Sequence, residues 1–167
     1  MKVDDIVAIQ KCLDAAGVRF ILVGGLAVIA HGYLRVTRDA DIVIELVPEN
    51  IQRAFDALAS IGYRPTVPIT AEEFASPAKR REWREQKNMR VLAFWSDEHR
   101  ETKLDVFIEH PFDFETEWAS SNVDPLIPEG QPLHYANIPT LIRMKREAGR
   151  PRDLDDIEHL QILLKKK

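Results

Sequence analysis

Two aspartates separated by one residue are the part of this sequence whose types and spacing point most directly to chemistry. Asp39 and Asp41 open an apolar stretch, 39–46, that predicts a β-strand. Residues i and i+2 of a strand project from the same face, so both carboxylates would lie together. Close carboxylates repel each other unless a cation intervenes, and Mg²⁺ takes oxygen ligands while keeping positions for substrate phosphates. The alternative is a pair that marks the solvent-exposed end of a strand.

A third carboxylate is expected in the middle of a later strand. Apolar residues alternate over 103–109, which places Leu104 and Val106 on the core face and Asp105 on the opposite face. A buried acid is costly unless it has a partner or a function. If this strand lies beside the strand over 39–46, three carboxylates can surround two metal ions, which promote in-line phosphoryl transfer.

A glycine pair precedes the first two aspartates. Gly24 and Gly25 stand between an apolar strand, 18–23, and a short apolar helix, 26–31. Glycines at such a junction let a bound phosphate come close to the backbone, with helix N–H groups directed at it. The alternative interpretation is a tight turn that needs glycine for its own geometry.

The segment before the aspartates adds a cation and a hydroxyl. If the extended conformation starts early, Arg35 and Thr37 share the face of Asp39 and Asp41, and they would line a phosphate-and-metal site. Arg38 would point away from that face, which predicts a surface position for its side chain.

These motifs together resemble a known family. The glycine pair, the Asp-x-Asp motif that follows after thirteen intervening residues and a further strand aspartate are similar to the pattern of the nucleotidyltransferase superfamily, whose fold is shared with DNA polymerase beta. The stretches GGLAVIAHGYLRVTRDADI and LIRMKREAGRPRDLDDIEHL resemble, more narrowly, the minimal AbiEii-type group. The resemblance extends over residues 18–165 and is weakest over 63–100.

The resemblance implies a role for each residue of the first motif. Gly24 and Gly25 would hold the triphosphate of an incoming nucleotide. Asp39 and Asp41 would coordinate Mg²⁺, with two ions expected and Mn²⁺ as a substitute. Asp105 would be the third carboxylate, both as a metal ligand and as a base for the acceptor hydroxyl.

The resemblance also implies roles in the C-terminal motif. Lys145 would contact phosphates, and Asp153, together with Arg150 or Arg152, would line the far side of the cleft. The other acids of 153–158 are expected to favour the first turn of a helix through its dipole.

The implied reaction is Mg²⁺-dependent transfer of a nucleoside monophosphate from a nucleoside triphosphate to an acceptor hydroxyl, with release of pyrophosphate. The implied setting is a toxin–antitoxin or phage-defence system. The acceptor would be tRNA, a partner protein or a small molecule, and a cognate toxin or antitoxin chain is an expected partner. Two alternatives remain open: an adenylyltransferase for aminoglycoside- or lincosamide-like drugs, and a non-catalytic binding protein that keeps the fold.

Length, composition and charge limit the classes of protein to which the chain can belong. The chain has 167 residues, enough for a single domain over 1–167, with a catalytic core over 18–110 and a helical part over 138–165. It contains neither an apolar run long enough to span a membrane nor a leader-like N-terminus, and its single cysteine suits a reducing compartment, so a cytoplasmic location is expected. The balance of 23 basic and 27 acidic residues disfavours a protein that binds nucleic acid over a wide surface.

One basic segment, Lys79–Arg90, is a candidate exception. Arg80, Arg84 and Lys87 fall on one helical face with Trp83 beside them, a pattern that could contact RNA. The preferred interpretation is a solvated helix face with Trp83 packed inward, because charge runs on helices are usually solvated.

The elements that must position these residues follow from hydrophobic periodicity and from Gly and Pro punctuation. Helices are predicted over 4–16, 26–31, 48–61, 77–87, 139–148 and 154–164. Strands are predicted over 18–23, 39–46, 89–95, 103–109 and 133–136. The third and fourth strands would form a hairpin, and 111–122 is compatible with a short helix. The result is an α/β (α+β) fold with a mixed sheet flanked by helices.

The last helix is predicted to bury one apolar stripe. Its members are four aliphatic residues at helical spacing: Leu154, Ile157, Leu160 and Leu164.

Overall fold

The computed structural model describes residues 1–127 and 130–166; Pro128, Glu129 and Lys167 lie outside the described residues. The chain divides into two compact units. One comprises Met1–Phe20 and Arg38–His110, and the other comprises Ile21–Thr37 and Pro111–Lys167. No described helix is both long enough and apolar enough to cross a membrane. The organisation of 1–167 as a single domain stays a prediction.

The described residues form eight helices and seven strands. The helices are α1 (Val3–Ala15), α2 (Gly24–Ala30), α3 (Pro48–Ser60), α4 (Ala71–Ala75), α5 (Pro77–Lys87), α6 (Phe114–Ser120), α7 (Ile138–Ala148) and α8 (Pro151–Lys166). The strands are β1 (Phe20–Val23), β2 (Asp39–Ile44), β3 (Arg64–Pro65), β4 (Val91–Trp95), β5 (Lys103–Phe107), β6 (Asn122–Pro125) and β7 (Pro132–Tyr135). Both parallel and antiparallel pairs occur, which confirms the predicted mixed α/β class.

The first unit contains four strands in the order β3-β4-β5-β2. The predicted hairpin is confirmed, because β4 and β5 pair antiparallel, with Leu92 opposite Val106. β5 then pairs with β2 in parallel. The apolar residues that alternate along these strands, such as Leu92, Leu104 and Ile42, are buried and form the core of this unit.

The second unit contains three strands in the order β1-β7-β6. β1 and β7 are parallel, and β6 and β7 are antiparallel. The buried Glu117 of α6 accepts hydrogen bonds from the Asn137 backbone N–H at 2.8 Å and from the Thr140 hydroxyl at 2.6 Å. These bonds satisfy polar groups at the start of α7 and anchor it beside α6. Gly149 ends α7 with φ of +63°, a conformation that favours glycine.

Three short elements were not predicted: β3, α4 and β6. A strand of two residues such as Arg64–Pro65 is too short to show a period, and it exists because it pairs with β4. β6 likewise depends on β7. The signal for α4 was present in the sequence, since Thr70 and Glu73 form a capping box.

The predicted apolar stripe of the last helix is wrong at two of its four positions. Leu154 is 68% exposed and Leu164 is 44% exposed. The buried face instead carries Asp153 and Asp156 together with Ile157 and Leu160. Hydrophobic periodicity misses this face because aspartates count as polar, although they are buried here with cationic partners.

Helix α5 corrects part of the prediction for the basic segment. Trp83 is buried, as predicted. Arg80, however, is also buried, and its guanidinium donates to the Phe74 carbonyl oxygen. Arg84 pairs with Glu109 at 3.3 Å. The helix face predicted to be solvated therefore contains one buried arginine, Arg80, which helps to fix α5 within its unit.

Candidate functional site

Parallel pairing of β2 and β5 brings two of the predicted carboxylates together. Asp41 lies in register with Asp105, and Asp39 lies in register with Lys103. Residues in register on neighbouring strands project from the same face of a sheet. The structure therefore confirms that β5 lies beside β2, the adjacency on which the predicted three-carboxylate site depends.

Alternation along β2 separates the carboxylates from the core. Ala40 and Ile42 are buried among apolar side chains. Asp39 and Asp41 remain partly accessible. The carboxylates thus lie on the more open face of β2, where a ligand can reach them.

A cation that sequence reasoning missed lies among these acids. The Lys103 ammonium is 3.2 Å from Asp105 Oδ2 and 3.9 Å from Asp39 Oδ2. The signal was present in the sequence, because Lys103 and Asp105 are two residues apart on one strand and so share a face.

The charges at these strands change the acidity of two groups. Burial raises the pKa of Asp105; Lys103 opposes that rise, and the Asp39 charge adds to it. Burial by itself would lower the pKa of Lys103, but the carboxylates of Asp105, Asp39 and Asp41 outweigh it and raise that pKa. The ammonium is therefore held firmly in its charged form.

The donor set fits a hard divalent cation. Asp105 Oδ1 is buried and has no hydrogen-bond partner among the described residues. Such an oxygen is costly unless an ion or water reaches it. Carboxylate oxygens are the ligands that Mg²⁺ prefers. Within 1–127 and 130–166, no group of three His, Cys, Asp or Glu side chains is arranged to hold a metal ion as it stands.

The glycine pair, in the second unit, has structural reasons for being glycine. Gly24 has φ of +65°, in the left-handed region. A Cβ atom on Gly25 would lie 2.7 Å from Thr37 Oγ1 and 2.9 Å from Thr37 Cβ. The turn interpretation thus accounts for both glycines, and their contact with a triphosphate stays a prediction.

The segment before β2 differs from the prediction in one respect. β2 begins at Asp39, so Arg35 and Thr37 precede the strand instead of extending it. Arg38 is exposed, as predicted. Arg35 forms an ion pair with Asp156 of α8, and the Arg35 side chain is largely buried by it.

Three predicted residues of the C-terminal motif take part in an ionic cluster, in which Lys145 and Asp153 are buried and Arg150 is exposed. Lys145 Nζ lies 2.6 Å from Asp156 Oδ2 and 3.4 Å from Asp153 Oδ1. Arg150 Nε lies 3.1 Å from Asp153 Oδ2. Burial by itself would raise the pKa of Asp153, but its hydrogen bonds from Arg150 and the charge of Lys145 outweigh it and lower that pKa.

This cluster was only half anticipated. Lys145 and Asp153 were predicted, and the structure brings them together. Asp156, which bridges Lys145 and Arg35, was assigned only to the first helical turn. Its spacing of three residues from Asp153 was the available signal, because such residues share a helix face. Arg152 is exposed. The phosphate-contact role of Lys145 and the cleft-lining role of Asp153 stay predictions.

The described residues combine a mixed α/β fold with acidic residues on two neighbouring parallel strands. No protein-family model matches the chain, and no curated protein matches it. The chain is similar to the solution structure of the antibiotic-resistance factor ANT(2'')-Ia, with a TM-score of 0.58 and 14% identity over 95% of this chain and 86% of that chain. At this identity the similarity shows the fold alone, and it confirms the nucleotidyltransferase fold. The AbiEii-type subgroup stays a prediction.

Proposed function

We propose that the chain is a Mg²⁺-dependent nucleotidyltransferase, which transfers a nucleoside monophosphate from a nucleoside triphosphate to an acceptor hydroxyl. The observation that carries this proposal is the register of Asp41 with Asp105 on parallel strands, with Asp39 two residues earlier on the same face. The fold shared with ANT(2'')-Ia supports nucleotidyl transfer as the general kind of reaction.

In the proposed reaction, each of the three carboxylates has a role. Asp39, Asp41 and Asp105 would hold the divalent ion, which when bound supplies charge neutralisation at the triphosphate. Asp105 would also accept the proton of the acceptor hydroxyl, the role that the family resemblance implies for the third carboxylate. The hydroxyl oxygen then bonds to the α-phosphorus while the bond to the β-phosphate oxygen breaks, and pyrophosphate leaves.

The direct test is incubation of the protein with Mg²⁺ and each labelled nucleoside triphosphate. Asp41→Asn is expected to lower label transfer about a hundredfold or more, because a metal ligand that stabilises transition-state charge contributes several kcal/mol. Asp97→Asn is the matched control, since Asp97 is an exposed aspartate of the same unit. Wild-type turnover by a folded Asp41→Asn protein would contradict the proposal.

The acceptor distinguishes two settings. The first is a toxin–antitoxin or phage-defence role, in which tRNA or a partner protein is labelled. The second is modification of an aminoglycoside- or lincosamide-like drug, which gains support from the fold shared with an antibiotic-resistance factor. Label transfer in a cell lysate, with and without added drug, separates tRNA, protein and drug as acceptors.

The non-catalytic alternative makes a different prediction. A binding protein that only keeps the fold has no need of metal-dependent nucleotide affinity. Titration calorimetry with a nucleoside triphosphate and Mg²⁺ should give a binding signal for the enzyme and none for such a protein. The presence of all three aspartates favours the enzyme.

A further inference from the structure

We propose that the Lys103 ammonium is a built-in competitor for the carboxylate site, and that a divalent cation binds there by displacing it. This inference rests on the proposed function, because it concerns how the cation required by that function gains access to Asp39, Asp41 and Asp105.

The contacts of Lys103 place it where a metal ion would have to bind. Its Nζ atom contacts Asp105 Oδ2 at 3.2 Å and lies 3.9 Å from Asp39 Oδ2. An ion that takes oxygen ligands from both aspartates must occupy the same space between them. The ammonium and the ion therefore compete for one set of acceptors.

The two carboxylate oxygens of Asp105 differ in their contacts. Oδ2 accepts the ammonium, whereas Oδ1 is buried with no hydrogen-bond partner among the described residues. A single ammonium thus leaves the carboxylate incompletely satisfied. A divalent ion with several open coordination positions satisfies more of its lone pairs, so exchange of Lys103 for the ion is favourable at this carboxylate.

Lys103 can leave the site at small cost. Its side chain is 44% exposed, whereas the side chain of Asp105 is 11% exposed. A lysine ammonium is a compact, strongly hydrated charge on a flexible stem, so it can move into water while its aspartate partner stays in place. An arginine there would bind a carboxylate through two parallel hydrogen bonds and would be harder to displace.

The competing interpretation is that Lys103 supports the site by holding Asp105 in position. Removal of the lysine would then leave metal affinity unchanged or lower it. Competition requires the opposite sign, because deletion of the ammonium removes the cation that an incoming ion must displace. The sign of the change in metal affinity therefore decides between the two interpretations.

The experiment measures Mn²⁺ affinity, by titration calorimetry and by the electron paramagnetic resonance signal of free Mn²⁺, without nucleotide. Lys103→Met is expected to bind Mn²⁺ up to about fivefold more tightly than the wild type, since a partly exposed ion pair is worth at most about that factor. Lys103→Arg keeps the competing charge, so its affinity is expected to equal that of the wild type or to fall below it.

Lys87→Met is the matched control for the loss of one positive charge. Lys87 is the last residue of α5 and is exposed. The next strand, β4, begins opposite Phe107, which is the last residue of β5, whereas Lys103 is its first. Its Mn²⁺ affinity should match that of the wild type. Equal or weaker binding by Lys103→Met overturns the inference, as does tightening of the same size in Lys103→Arg.

A second measurement follows the ammonium itself. In a proton–nitrogen NMR spectrum of the lysine ammonium groups, the Lys103 signal is assigned by its loss in Lys103→Arg. Mg²⁺ is expected to shift or remove this signal in the wild type, and an unchanged signal at saturating Mg²⁺ contradicts displacement.

The outcomes separate this inference from the proposed function. Wild-type Mn²⁺ binding that is abolished by Asp41→Asn but is not tightened by Lys103→Met overturns only the competition. Absence of Mn²⁺ binding in both the wild type and Lys103→Met overturns the competition, whereas the proposed function is decided by label transfer, because Mg²⁺ is held there by carboxylates together with the substrate phosphates.

Discussion

Asp41 on β2 and Asp105 on β5 lie at the same level of two parallel strands, although three helices and two strands separate them along the chain. The pairing places acidic groups from distant parts of the sequence on one face. Asp105 is the more deeply buried of the two and carries an oxygen without a hydrogen-bond partner among the described residues. An arrangement that costs stability in this way is typical of a site maintained for binding or catalysis.

Replacement of Asp105 should separate stability from activity. Asp105→Asn removes a buried charge while keeping the shape of the side chain, so the free energy of unfolding is expected to stay equal or to rise by about 1 kcal/mol. Nucleotidyl transfer should fall by about a hundredfold or more, because a ligand and base are lost. Urea denaturation and label transfer measure the two effects. A variant that is less stable by several kcal/mol would show that Asp105 has a structural role instead.

Gly25→Ala should destabilise the protein by about 1–3 kcal/mol, because the new Cβ atom would lie 2.7 Å from Thr37 Oγ1 and the surrounding structure must shift. Denaturant unfolding gives the free energy. The double variant Gly25→Ala/Thr37→Gly, referenced to Thr37→Gly alone, is the control: the cost of the alanine should shrink once the Thr37 side chain is gone. An undiminished cost in the Thr37→Gly background would mean that the clash is not the cause.

Asp156→Asn should destabilise the second unit strongly. Asp156 is buried and pairs with both Lys145 and Arg35, so its neutralisation leaves two cations with too little compensating charge. Loss of one partner from a buried ion pair costs about 3–5 kcal/mol. Thermal and urea unfolding measure the change. Asp155→Asn is the matched control on the adjacent residue: Asp155 is exposed, and a change of about 0.5 kcal/mol or less is expected.

Asp5 should contribute to acid sensitivity of the first unit. Burial by itself would raise the pKa of Asp5, but hydrogen bonds from Thr102 and His99 outweigh it and lower that pKa. An acid whose pKa is lowered by folding stabilises the protein above its unfolded pKa, about 4. That stabilisation is lost as the pH falls through the lower pKa of the folded state.

The measurement for Asp5 is the free energy of unfolding between about pH 6 and pH 2. The wild type should lose stability on acidification more steeply than Asp5→Asn, whose side chain does not titrate. Asp4→Asn is the control, because Asp4 is the exposed neighbour on the same helix turn. Identical pH profiles for the wild type and Asp5→Asn would contradict the role of Asp5.

The sequence by itself determined much of the local structure. Periodicity of two predicted that Asp39 and Asp41 share a face away from Ala40 and Ile42, and the structure agrees. α5 has the predicted bounds, and the β4–β5 hairpin was predicted within a few residues. These features depend on neighbours along the chain, so the pattern of apolar residues and the turn residues between them are sufficient to indicate them.

Only the tertiary structure decided which distant charges meet. It places Lys103 beside Asp39, joins Arg35 to Asp156, and sets Thr37 against Gly25. In α8 it leaves Leu154 exposed and buries Asp153 and Asp156. Hydrophobic periodicity reports how apolar residues are buried, but it carries no information about the partner of a buried charge. That partner comes from a segment far away in sequence, and only folding brings it within reach.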